Sequence, residues 1–200
     1  NSLIIYKEIP ARFDIWNIDR QSLTGGEKVE SPAQVQFINR GNNRKELLFT
    51  RILGKKSRLT MTYTLDGDSS VLKISSEIDW QEPESLLKAE FPTQYHATKA
   101  RFGTPYGSIL RPAQPGMPHE ETQWESAGSR WVCLFDEGEQ EGIALITKNS
   151  YGFSAYEDVL SLSLVRSAKS PESCMEQPVY TDLGKHRVEY ALGFHNQSGP

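Results

Sequence analysis

Leu59-Thr60-Met61-Thr62-Tyr63-Thr64-Leu65 puts four apolar side chains on one side of an extended chain and three threonines on the other. This period of two is what a half-buried β-strand requires, because successive side chains on a strand point to opposite faces. Asp66-Gly67-Asp68 follows with turn chemistry. Beyond the turn, Leu72, Ile74, Ile78 and Trp80 share one face, and Lys73, Ser75, Glu77 and Asp79 the other. The two runs together predict an antiparallel hairpin.

The same pattern recurs outward from this hairpin. Leu160, Leu162 and Leu164 alternate with serines, and Val188, Tyr190, Leu192 and Phe194 alternate with Arg187, Glu189, Ala191 and Gly193. Shorter apolar runs at Val35 to Ile38, Leu47 to Leu53, Leu86 to Phe91, Arg130 to Phe135 and Gly142 to Thr147 read as further strands. No window of helical length keeps an apolar i, i+3, i+4, i+7 stripe. With 15 glycines and 11 prolines, the expectation is an all-β antiparallel sandwich occupying residues 1–200 as one domain. Two segments lack the pattern. Gly25 to Ala33 reads as a surface connection, and Gly103 to Gln123, rich in proline and glycine, as a long functional or mobile loop.

Composition removes several classes of function. The chain has 22 basic and 26 acidic side chains and a formal net charge of −4, so it carries no positive excess for binding phosphates, and nucleic acid is not an expected partner. No apolar run approaches the roughly 20 residues of a membrane-spanning helix. A hydrophobic content of 37% is enough for a real core at this length. Cys133 and Cys174 are too few for a disulfide scaffold and read as free thiols of a reducing compartment, which favours the cytoplasm. The sequence opens on Asn1, with no charged-then-apolar leader before Leu3-Ile4-Ile5-Tyr6. That predicts a processed precursor or a piece of a longer protein.

Signatures of chemistry are sparse. His96, His119, His186 and His195 lie far apart, with none of the close spacing that announces a catalytic zinc. The nucleophile elbow, the phosphate-binding loop and the dinucleotide fingerprint are missing. Asp79, Glu82, Asp136, Asp158 and Asp182 stand near predicted strand ends, where a carboxylate is more commonly a turn residue than half of a glycosidase pair. Trp16, Trp80, Trp124 and Trp131 are spread so that at least two belong in the core, while one or two remain for a groove in which a sugar ring could stack.

Several segments, in a fixed order, resemble the C-terminal β domain of the zinc-dependent α-mannosidases of glycoside hydrolase family 38. They begin with Phe13-Asp14-Ile15-Trp16-Asn17-Ile18-Asp19, then Ile78-Asp79-Trp80-Gln81-Glu82 and Leu86-Leu87-Lys88-Ala89-Glu90-Phe91-Pro92. Phe102-Gly103, Arg111-Pro112, Trp124-Glu125 and Arg130-Trp131-Val132 follow. Gly142-Ile143-Ala144-Leu145-Ile146, Lys148-Asn149-Ser150-Tyr151-Gly152 and Leu160 to Ser167 come next, and Asp182-Leu183-Gly184-Lys185-His186 with Tyr190-Ala191-Leu192 and His195 closes the series. Cys133 stands where the family usually has aspartate, Ser150 interrupts the K-Y-G block, and Ser173 to Tyr180 looks like a small insertion.

The resemblance implies a β-supersandwich of the galactose-mutarotase type within an enzyme that cleaves terminal α-D-mannosidic bonds with retention. It places the zinc ligands and the aspartate nucleophile in an N-terminal α/β domain, followed by a helical domain. Catalytic residues, metal ligands and cofactors are therefore not expected in this chain, zinc being expected in the catalytic domain. The implied partners are the catalytic and helical domains of the same chain and a mannose-containing oligosaccharide. Substrate-binding candidates are Arg166, Tyr151 and Arg111. Arg166 is expected to project from the sandwich edge, with an ion pair inside the sandwich as the competing account. Asp182 and His186 are expected to support the site from a compact turn. A free-standing carbohydrate-binding sandwich and a mutarotase-like epimerase remain as alternatives. The sequon Asn196-Gln197-Ser198 is too short a pattern to establish secretion.

Overall fold

The structure is a computed structural model that describes residues 1–9, 15–16, 18–114, 116–121, 125–136, 138–170 and 178–196. In chain order its strands are β1 (Ser2–Lys7), β2 (Glu27–Lys28), β3 (Gln34–Asn39), β4 (Arg44–Leu53), β5 (Ser57–Asp66), β6 (Val71–Trp80) and β7 (Ser85–Pro92). There follow β8 (Lys99–Thr104), β9 (Gly107–Pro112), β10 (Glu125–Ala127), β11 (Trp131–Phe135), β12 (Glu141–Thr147), β13 (Gly152–Tyr156), β14 (Val159–Ser167) and β15 (Gly184–Asn196). The α-helix described is the single turn Pro118–Glu121. No helix among the described residues is long and apolar enough to cross a membrane.

All strand pairings are antiparallel and fall into two sheets. One has six strands in the order β10-β13-β14-β7-β1-β2, the other nine in the order β3-β4-β5-β6-β15-β12-β11-β8-β9. The expected hairpin is β5–β6, with Leu59 opposite Ile78 and Tyr63 opposite Ile74. Its apolar face packs inward. Leu59, Met61, Ile74, Ile78 and Trp80 of the larger sheet join Leu87, Ala89, Phe91, Leu160 and Leu162 of the smaller in one core. This is the all-β sandwich that the alternation predicts.

The structure corrects the long-loop reading of Gly103 to Gln123. Gly103 and Thr104 are the last two residues of β8, and residues 107–112 form β9, which pairs with β8 through a two-residue turn at Pro105-Tyr106. Arg111 therefore sits on a strand at the sheet edge. Gly25 to Ala33 is a surface connection as expected, apart from the two residues of β2 that pair with β1. Cys133 is a buried free thiol whose pKa burial pushes up to about 12; Cys174 lies outside the described residues.

Of the strand-end carboxylates, Glu82 shows most clearly what such a group does. Its Oε1 accepts from the backbone amides of Lys55 (2.9 Å), Lys56 (2.8 Å) and Ser57 (3.2 Å), and from Ser57 Oγ (3.1 Å), tying down the β4–β5 turn. Gly54 is left-handed there (φ 54°), and a Cβ on it would come within 2.7 Å of Glu82 Cδ. Burial disfavours the Glu82 carboxylate, but these four hydrogen bonds outweigh it and hold its pKa below the usual glutamate value. A carboxyl with a lowered folded pKa contributes stability that is complete above the unfolded value and is lost as pH falls through the folded one. Glu82→Gln should thus cost about 1 kcal/mol at neutral pH and much less at pH 3. Urea midpoints of both proteins at the two pH values measure this, and an equal loss at both would contradict it.

Candidate functional site

The smaller sheet's outer face is not solvent. On β7, Leu87, Ala89 and Phe91 point into the core, so Leu86, Lys88 and Glu90 point out; yet Leu86 and Lys88 are buried. Lys88 faces a covering segment around a 3₁₀ turn, Arg20–Leu23, which Asp19 caps by accepting from the Gln21 amide at 2.9 Å. Between this cover and the sheet lies a cavity of about 840 Å³. Its roof includes Trp16, Ile18, Arg20 and Leu23, and its floor Lys88, Glu90, Ser154 and Ser161. Volume and mixed lining are those of a small-molecule site.

A β-bulge delivers Arg166 to this space. On β14, Leu160 and Leu162 face the core. Ser163 pairs with Lys88 while Val165 pairs with Leu87, so Leu164 is one residue too many for the ladder. A single extra residue reverses which face each later side chain takes. Val165 therefore joins the core, and Arg166, which unbroken alternation would aim inward, turns outward into the cavity. This corrects the expectation that Arg166 leaves from the sandwich edge: β14 is an interior strand, and Arg166 leaves from its face. Arg166 also makes the ion pair named as the competing account. Its Nε and Nη2 (3.2 Å for the latter) both donate to the Glu8 carboxylate, whose side chain is 1% exposed, and its Nη1 donates to the Ile15 carbonyl at 3.4 Å. Pairing and cavity lining coexist in one guanidinium.

The sheet brings Tyr151 to the same cavity, just ahead of β13 and half exposed. It does not bring Arg111 there. Arg111 Nη1 donates to the Ala127 carbonyl at 3.0 Å, its guanidinium lies 4.6 Å from the Phe102 ring centre, and partial burial lowers its pKa. It joins the edges of the two sheets beside the cavity rim. Asp182 and His186 stand apart from the cavity. His186 Nε2 donates to the Asp182 backbone carbonyl at 2.7 Å, and Asp182 is left-handed (φ 52°), so this contact closes a turn ahead of the Ile78-facing end of β15. Trp80 is fully buried in the core and Trp16 is 80% exposed at the cavity roof; Trp124 lies outside the described residues, as do Phe13, Asp14 and Asn17.

Sequence reasoning missed the floor. Lys88, with its side chain 4% exposed, donates to Glu125 Oε2 and to Ser154 Oγ (2.7 Å); Ser154 and Ser161 share a hydrogen bond, and Ser163 Oγ donates to Glu125 Oε1 at 2.9 Å. Tyr6 donates its hydroxyl to Glu90 Oε1 at 2.6 Å, and burial, reinforced by that carboxylate, raises the phenol pKa. The serines between the β14 leucines were the available signal, because a polar stripe that is buried needs partners. Among the described residues, no three His, Cys, Asp or Glu side chains converge as metal ligands.

Comparison with known proteins decides the family. A model of the glycosyl hydrolases family 38 C-terminal domain matches residues 1–173. The chain belongs to that family. It is 27% identical over 199 residues to alpha-mannosidase 2C1 of Homo sapiens, a match covering 99% of this chain and 18% of that protein. It is also 27% identical over 209 residues to an alpha-mannosidase of Saccharomyces cerevisiae, covering 98% and 18%. The chain thus spans 18% of the length of these two relatives. Among solved structures, an alpha-mannosidase from Enterococcus faecalis V583 superposes with a TM-score of 0.79 at 13% identity, over 97% of this chain and 25% of that one. That likeness shows the fold.

Proposed function

We propose that this family 38 C-terminal domain forms one wall of the sugar pocket of a retaining, zinc-dependent α-mannosidase that hydrolyses terminal α-D-mannosidic bonds. The observation that carries the reading is the convergence of Arg166 and Tyr151 in one 840 Å³ cavity. The substrate follows from the relatives, named as alpha-mannosidases. Retaining hydrolysis needs two carboxyls about 5–5.5 Å apart at the scissile bond, and these belong to the catalytic domain of the same chain. Zinc would clamp sugar hydroxyls there as a Lewis acid. The described residues offer it no ligand set. What this chain contributes is binding. The Arg166 fork, oriented by Glu8, donates to hydroxyl oxygens, and Tyr151 and Trp16 offer faces to the apolar side of a sugar ring.

Arg166→Lys in the full-length protein keeps a charge against Glu8 but loses the fork. It should lower kcat/KM at least tenfold, about 1.4 kcal/mol of transition-state binding. The 200 residues alone should not cleave an aryl α-mannoside, with or without added zinc. Wild-type kinetics in a folded Arg166→Lys enzyme would take Arg166 out of the pocket, and turnover by the isolated chain would defeat the division of labour. Tight mannose binding by the isolated chain, with inert full-length variants, would favour the carbohydrate-binding module instead, a reading to which exposed Trp16 lends support.

A further inference from the structure

We propose that Lys88 and Glu90 form a hydroxyl-binding subsite on the cavity floor that selects the sugar by one of its ring hydroxyls. The inference rests on the reading of the cavity as a sugar pocket and adds to it a second recognition point, apart from Arg166. Both residues line the cavity. They are two positions apart on β7, so they share a face with Cα atoms about 7 Å apart, and their flexible side chains can reach one atom between them.

Hydrogen-bond accounting makes the pair a site. An ammonium carries three donors. Lys88 uses one on Glu125 and one on Ser154, and the third finds no acceptor among the described residues. The Glu90 carboxylate has two oxygens: Oε1 takes the Tyr6 hydroxyl, and Oε2 takes no donor among the described residues. One donor and one acceptor thus face the same space, and the donor belongs to a charged group nearly removed from water. Such a group is costly to leave unsatisfied.

Charge selects the ligand. An anion would meet Glu90 and Glu125, and a cation would meet Lys88. A neutral hydroxyl gives its proton to Glu90 and takes one from Lys88, completing both. The floor is closely packed beside the pair. Gly152 has no side chain where a Cβ would come within 3.0 Å of Ser163 Cβ and 3.2 Å of its Oγ, so any larger residue would press on the serine row.

A site built around a hydroxyl rejects the analogue lacking it far more strongly than an apolar pocket rejects a missing methylene. The test is inhibition of the full-length enzyme by D-mannose and its monodeoxy analogues, in wild type, Glu90→Gln, Lys88→Met and Arg166→Lys, each checked for folding by its melting temperature. Wild type should bind one monodeoxy sugar at least about tenfold more weakly than mannose. Glu90→Gln should bind mannose itself about tenfold more weakly and no longer distinguish that analogue. Should Lys88→Met fail to fold, Glu90→Gln alone decides. Wild-type inhibition constants for every sugar in Glu90→Gln would overturn the subsite. If Arg166→Lys shows a weakened response while both β7 variants do not, the subsite fails and the pocket reading stands; if none of the three changes, both fall.

Discussion

Replacing Trp80 by alanine is expected to cost the domain about 3–5 kcal/mol, the usual range for deleting a buried aromatic side chain. Trp80 is fully buried where β6 meets the start of β15, opposite Gly184, and its Nε1 donates to Ser167 Oγ at 3.2 Å. Ser167 Oγ in turn donates to the Glu82 carbonyl. The indole therefore fills the core and anchors the end of β14 three residues past the bulge. Alanine removes the volume and leaves Ser167 without its donor. Urea denaturation of the 200-residue chain gives the loss directly, and a change under about 1 kcal/mol would mean that the core closes over the gap.

Arg166→Ala should be nearly as damaging, for an electrostatic reason. Removing one partner of a buried ion pair costs about 3–5 kcal/mol, because the other charge is stranded, whereas replacing both by neutral groups of similar volume costs far less. Glu8 is the buried carboxylate here, its side chain 1% exposed against 20% for Arg166, and it would lose both bonds from the guanidinium. The double variant Glu8→Gln with Arg166→Met should recover at least half of the stability that Arg166→Ala loses. Additive losses would show that the pair is not coupled. This is why the kinetic test uses lysine at position 166: alanine would mix a folding defect with lost sugar binding.

The strands that border water on one face and core on the other were legible in the sequence, since burial writes a period of two into β5, β6 and β15. β9 was not. Its first four residues, Gly107 to Leu110, are all exposed at the sheet edge, so no alternation marks it, and only the Pro105-Tyr106-Gly107 turn signalled a hairpin. Pro112 is tolerated there because an edge strand has amides to spare. The family resemblance brought Arg166 and Tyr151 forward. Unbroken alternation placed Arg166 on the leucine side of β14, and nothing in Ser163-Leu164-Val165 marks the bulge that reverses it. Lys88 and Glu90 were in view within Leu86 to Pro92, but the adjacent leucines Leu86 and Leu87 blur the two faces. The cavity itself gathers residues from Tyr6 to Arg166, a convergence that only long-range pairing creates.

β15 lies between β6 and β12 in the larger sheet, although every other strand of that sheet precedes it in the chain. During synthesis, β3 to β6 and the group β8, β9, β11 and β12 can each form, but they remain two ribbons with facing open edges until Gly184–Asn196 has left the ribosome. Those edges are exposed hydrogen-bonding templates for the seconds that translation takes. A nascent chain stalled before Gly184 should consequently be a substrate for chaperones and prone to aggregate, while one in which Gly184–Asn196 has emerged closes the sheet in a single step.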